Sequence, residues 1–173
     1  FLGADPRIVL RTKGLSGTII EGGGKTQIAL QKGTLDPLHV LKSILGRYKY
    51  VPTPELPQFV GGAVGMIGYD TVRFFENLPD SNPPDESTPD DCLFMFTDAL
   101  VIFDHVKHRV ISLCNAHVPN PEQAESAYYS AVAKVEGLVD KLLHGTGRPR
   151  PRSANNSNPG LKEEFTCTVT QEE

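Results

Sequence analysis

Cys92-Leu93-Phe94-Met95-Phe96-Thr97-Asp98-Ala99-Leu100-Val101-Ile102-Phe103 is dense in aromatic and branched residues, and Arg109-Val110-Ile111-Ser112-Leu113-Cys114-Asn115-Ala116 follows it closely. Side chains of that kind pack best on a pleated surface. The polar link between the runs, Asp104-His105-Val106-Lys107-His108, predicts a hairpin turn. Two strands over 92–103 and 109–116 are therefore expected to pair antiparallel. The same pattern opens the chain. Arg7-Ile8-Val9-Leu10-Arg11, Gly17-Thr18-Ile19-Ile20-Glu21 and Thr26-Gln27-Ile28-Ala29-Leu30 are short β-rich runs separated by Gly14 and by Gly22-Gly23-Gly24. Helical spacing appears in two places. Leu38, Leu41, Ile44 and Leu45 lie between a Thr34 cap, with Asp36-Pro37 in the first turn, and Gly46. Ala124, Ala127, Ala131, Val135, Leu138 and Leu142 form one stripe of a long helix opened by Asn120-Pro121 and running to about His144. Strands come in blocks rather than alternating with helices. The expected class is α+β, a mostly antiparallel sheet with a few packed helices, and not a doubly wound fold.

Between these blocks, Phe59 to Tyr69 is apolar and studded with glycine at 61, 62, 65 and 68. Glycine weakens a strand unless the strand bends or another backbone comes close. A core strand crossed at short range is expected here, with Asp70 capping a short amphipathic helix after it. Residues 77–91 are rich in proline and acid and read as loop. Residues 1–144 read as the folded domain, 145–164 as a flexible Pro/Arg/Ser/Asn linker, and 165–173 as the start of a further domain. Both ends look like cuts within a longer protein.

The whole chain has 173 residues, 39% of them hydrophobic and 22% charged, with a net charge of −4, which suits one globular domain and lacks the basic surplus of a nucleic-acid binder. No apolar run approaches the ~20 residues of a membrane helix, and no leader pattern opens the chain. The three cysteines, Cys92, Cys114 and Cys167, are unclustered and read as reduced intracellular thiols.

Candidate chemistry is sparse. Gly22-Gly23-Gly24-Lys25-Thr26 ends like a phosphate loop, but position 19 is Ile where that motif needs Gly, and no strand leads into a helix. A hairpin turn is the better account. His105 and His108 flank a turn, and Cys114 and His117 lie three apart, whereas zinc wants two close ligand pairs. Asp104-His105 could orient an imidazole, yet no serine or cysteine elbow stands beside it. The acids between 80 and 91 lack calcium-loop spacing. No catalytic and no metal-binding residue is assigned on chemistry alone.

Three segments, read in order, resemble the N-terminal region of anthranilate synthase component I. Phe1-Leu2-Gly3-Ala4-Asp5-Pro6 is similar to the family's Tyr-Ser-Phe-x-Gly-x-x-Pro. Phe59 to Arg73 carries Gly-Gly-x-x-Gly-x-x-Gly-Tyr-Asp, and Asp90 to His105 ends in Phe-Asp-His. Phe165 to Glu173 looks like the beginning of the family's chorismate-binding domain. The folate-pathway relative, aminodeoxychorismate synthase component I, shares much of this pattern, and a stand-alone ligand-binding module is the alternative outside the enzyme class.

The resemblance implies a parent enzyme, cytoplasmic or, in a plant or alga, plastidic. It would turn chorismate and ammonia, delivered by a glutamine amidotransferase subunit, into anthranilate and pyruvate with Mg²⁺. The metal ligands and chorismate-binding residues would lie in the C-terminal domain, so no catalytic residue carries over. The N-terminal part would be structural and regulatory, helping to form the pocket through which tryptophan inhibits. The family's Leu-Leu-Glu-Ser segment would precede Phe1. Phe1 and Leu2 are the positions that carry over, at the rim of that pocket.

Overall fold

The computed structural model describes residues 1–79 and 89–145. The proposed linker beyond Gly145, the 165–173 segment, Cys167 and most of the acidic loop lie outside them. Among the described residues, eight strands form two antiparallel sheets. They are β1 (Leu2–Gly3), β2 (Ile8–Lys13), β3 (Ser16–Glu21), β4 (Gly24–Ala29), β5 (Gly62–Ile67), β6 (Cys92–Thr97), β7 (Ala99–Asp104) and β8 (Arg109–Cys114). The larger sheet has the order β4-β3-β2-β6-β5 and the smaller β1-β7-β8. The described residues also form two α-helices, α1 (Pro37–Leu45) and α2 (Ala124–His144), which makes the fold α+β.

Alternation in β2 and β6 decides what is buried. Ile8, Leu10, Cys92, Phe94 and Phe96 point to one face, where Val40 and Ile44 of α1, with Leu30 and Phe74, close over them. Each large side chain removed from water there contributes roughly 1.5–3 kcal/mol before entropy is counted. The hydroxyl of Thr12, on the same face and 2% exposed, has no hydrogen-bond partner among the described residues. The other face stays open. Val9 pairs with Ile20 and with Met95, and Met95 with Val64, so an apolar row crosses the sheet. Val64 and Met66 are 51% and 43% exposed.

The expected hairpin turns form. Gly22 and Gly23, both at positive φ, make the two-residue turn between β3 and β4, which settles the phosphate-loop question in favour of a turn. Asn120 caps the 3₁₀ turn Pro121–Gln123 that leads into α2, accepting from the Gln123 N–H at 3.1 Å.

Four local expectations are corrected. The run 92–103 is not one strand: it bends at Asp98, and its halves belong to different sheets. The partner run ends at Cys114 rather than Ala116. Helix α1 is capped by Asp36, whose Oδ1 accepts from the His39 N–H at 2.8 Å, while Thr34 lies in a turn closed by the Gln31–Leu35 bridge. Asp70 caps nothing; it sits inside a 3₁₀ helix, Tyr69–Phe74, that begins after Gly68, and pairs with Arg73 at 2.9 Å.

Among the described residues the glycine-rich segment is likewise an edge strand rather than a core strand, because β6 alone flanks β5 there. Close approach is real at Gly65, where an added Cβ would run into the Leu93 carbonyl oxygen and lie 2.7 Å from Phe94 Cα. Gly62 meets nothing; its φ of +120° is what excludes other residues.

Candidate functional site

The corner between the two sheets is where the residues singled out at the N-terminus come to lie. β1 adds to the edge of the small sheet, with Leu2 opposite Val101 and Gly3 opposite Leu100. Directly paired residues share a face. Leu2 is thus on the Val101 side, whereas Phe1 reaches the other side and meets the Phe59 ring edge-on at 5.4 Å. Beneath Phe59 lies the second core, Val60, Leu100, Ile102 and Leu113, with Ile111 packed against it. Phe1 and Leu2 remain 68% and 57% exposed. They present an apolar lip with two faces, and only Phe1 is coupled to the small core through an aromatic contact.

Asn115 holds this corner together, and sequence reading gave it no role. Its backbone N–H donates to the Asp98 carbonyl at 2.8 Å, and its Nδ2 donates to the Val60 carbonyl at 2.7 Å. One residue thereby ties the bend between β6 and β7 to the segment leading into β5. A polar residue just past an apolar strand is ordinary in sequence, so only the non-local partners reveal it.

Helix α2 lies along β8 without sealing onto it. An apolar cleft of about 230 Å³ remains, walled by Cys114, Tyr128, Ala131 and Val135. Burial pushes the Cys114 thiol up, and Asp98 adds to that while Lys134 opposes it, so the group is a poor nucleophile. The Asp104 carboxylate is committed to its turn. It accepts from the N–H groups of Lys107 at 3.0 Å and Val106 at 3.1 Å and pairs with Arg109 at 3.2 Å. Those bonds, the Lys107 N–H first, hold its carboxyl below the usual range. Asp104 therefore stiffens the hairpin rather than orienting His105. Among the described residues no three His, Cys, Asp or Glu side chains converge on a point that could hold a metal ion.

No family model matches the chain. Component 1 of anthranilate synthase from Acetivibrio thermocellus is 38% identical over 122 residues, which are 70% of this chain and 23% of that protein. The Pseudomonas putida component 1 is 32% identical over 99% of this chain and 34% of its own length. The chain belongs to the anthranilate synthase component I family. A crystal structure of anthranilate synthase component I from Streptococcus pneumoniae matches with a TM-score of 0.56 at 22% identity, over 82% of this chain and 28% of that one. That likeness carries the fold. Against these anthranilate synthase relatives the chain spans only 23% and 34% of their length. No helix among the described residues is long and apolar enough to cross a membrane.

Proposed function

We propose that this chain is the N-terminal structural and regulatory part of anthranilate synthase component I, a lyase that converts chorismate and ammonia to anthranilate and pyruvate in tryptophan biosynthesis. The observation that carries the reading is the 32% identity running over 99% of the chain to a protein of that name. In this reading Mg²⁺, chorismate and the proton transfers belong to the remaining length of the parent, and ammonia arrives from a glutamine amidotransferase subunit. The segment's own side chains bind and position. The open apolar row through Val9, Met95 and Val64 suits packing against the rest of the parent polypeptide. The Phe1–Phe59 lip suits the rim of an inhibitor pocket for tryptophan, whose indole would gain from aromatic neighbours. Inhibition is then a coupling free energy passed across the contact between the two parts, typically ~1–3 kcal/mol.

The test joins this chain to the remaining length of the Pseudomonas putida relative and follows anthranilate fluorescence. Phe1→Ala and Leu2→Ala should raise the tryptophan needed for half-inhibition while leaving uninhibited turnover in place. Unchanged inhibition in both removes the rim assignment. Formation of aminodeoxychorismate in place of anthranilate moves the chain to the folate-pathway enzyme.

A further inference from the structure

A second, polar cavity of about 190 Å³ lies between the start of β2, the end of β8 and the middle of α2. Arg7, Asp98, Asn115, His117, Ser130 and Lys134 contribute its polar walls. Two permanent cations face one carboxylate there. Lys134 and Asp98 are 3.6 Å apart and offset one another. Arg7 is half-buried, forms no ion pair among the described residues, and rests 6.0 Å from the Tyr48 ring centre. A cation–π contact orients a guanidinium but leaves its charge and its N–H groups available. The Arg7 backbone is fixed by donation to the Phe96 carbonyl at 2.7 Å, so the side chain springs from a rigid base. Asn115 is held by its two bonds, and the Ser130 hydroxyl has no protein partner among the described residues.

A half-buried guanidinium with no counter-ion among the described residues, at the mouth of a small cavity with hydroxyl and imidazole groups, is the arrangement that recognises an oxyanion. We propose that this cavity binds a small carboxylate or phosphate anion. Arg7 supplies the principal charge-assisted contact, Lys134 supports it, and Ser130 and His117 complete the shell. The bound anion would tie α2 to both sheets, since its contacts come from Arg7 just before β2, His117 just after β8, and the helix. The site is distinct from the Phe1–Phe59 lip and stands whether or not the tryptophan-pathway reading holds.

The experiment titrates the full 173-residue chain with inorganic phosphate and separately with malonate at low ionic strength, following its amide proton–nitrogen NMR spectrum. Saturable shifts confined to the neighbourhoods of Arg7, Asn115, Ser130 and Lys134 are expected. Arg7→Gln should weaken binding roughly tenfold and Lys134→Gln about threefold. Asp98→Asn removes the competing charge and should tighten binding, an effect that loss of folding cannot mimic. Lys25→Gln, on the exposed strand β4, should change nothing. Response to phosphate alone assigns a phosphoryl ligand, and response to malonate alone a carboxylate. Absence of saturable binding by either anion, or binding indifferent to Arg7→Gln and Asp98→Asn, overturns the proposal.

Discussion

Replacing Gly65 by alanine puts a methyl group where backbone already stands. Its Cβ would collide with the Leu93 carbonyl oxygen and lie 2.8 Å from the Leu93 carbonyl carbon and 2.7 Å from Phe94 Cα. No side-chain rotation relieves contacts with backbone, so β5 must move away from β6 by at least about 1.5 Å before they become ordinary van der Waals distances. Separation at Gly65, in the middle of six consecutive residue pairs, stretches the ladder bonds on either side. Losing about two of them at ~1 kcal/mol each, with some exposure of Phe94 and Ala63, gives ~2–4 kcal/mol. For a chain of this size that is a fall in melting temperature of roughly 5–15 °C. Circular dichroism melts and urea titrations measure it. Gly137 is the internal control, since it lies in α2 with open space around its added methyl. Gly137→Ala should stabilise by ~0.5–1 kcal/mol through helix propensity. If Gly65→Ala melts within about 1 °C of the parent chain, a shift too small for a lost ladder bond, the close-approach reasoning is wrong.

Other substitutions probe different terms. Gly62→Val should destabilise by ~1–3 kcal/mol despite the empty space around it, because φ of +120° is closed to a branched residue; equal stability in urea would refute that strain. Thr12→Val keeps the shape of a buried side chain and removes a hydroxyl that nothing among the described residues satisfies, so a gain of ~1 kcal/mol is expected in the same titration, and a loss would contradict it. Asp36→Ala should cost about 1 kcal/mol through the lost cap of α1. Burial tends to raise the Asp36 carboxyl, but the His39 N–H and imidazole outweigh it and hold the group below its ordinary 3.8. A lowered carboxyl contributes stability above its unfolded value and loses it as pH falls through the folded one. The difference between parent and Asp36→Ala should therefore be full near neutrality and shrink below the ordinary carboxylate range; a difference that grows in acid would reverse the assignment.

The fold class was legible because strand periodicity and glycine turns are local signals. Ile8 and Leu10 alternate with Val9 and Arg11, and Gly22-Gly23 can hardly be anything but a turn. What sequence hid depends on partners far along the chain. Both halves of 92–103 are apolar, so the break at Asp98 is visible only once each half has a sheet to join. The segment 62–67 looks like core by its residues, yet nothing in an apolar string says whether one neighbour flanks it or two. Asp36 displaced Thr34 as the cap because the Gln31–Leu35 bridge keeps the turn closed up to the residue before Asp36. That Phe1 and Leu2, adjacent in sequence, turn to opposite faces is visible only once Leu2 is paired with Val101 and Phe1 meets Phe59. Asn115 carried no signal at all, since its worth lies in bonds to Val60 and Asp98.

Chorismate turnover tests the assignment most directly. It is measured with ammonia and Mg²⁺ on the 173-residue chain alone and on the same chain joined to the remaining length of a component I relative. The account predicts no product from the chain alone, and anthranilate, suppressed by tryptophan, from the joined protein. Turnover by the isolated chain, or a joined protein that releases a product other than anthranilate, would contradict it.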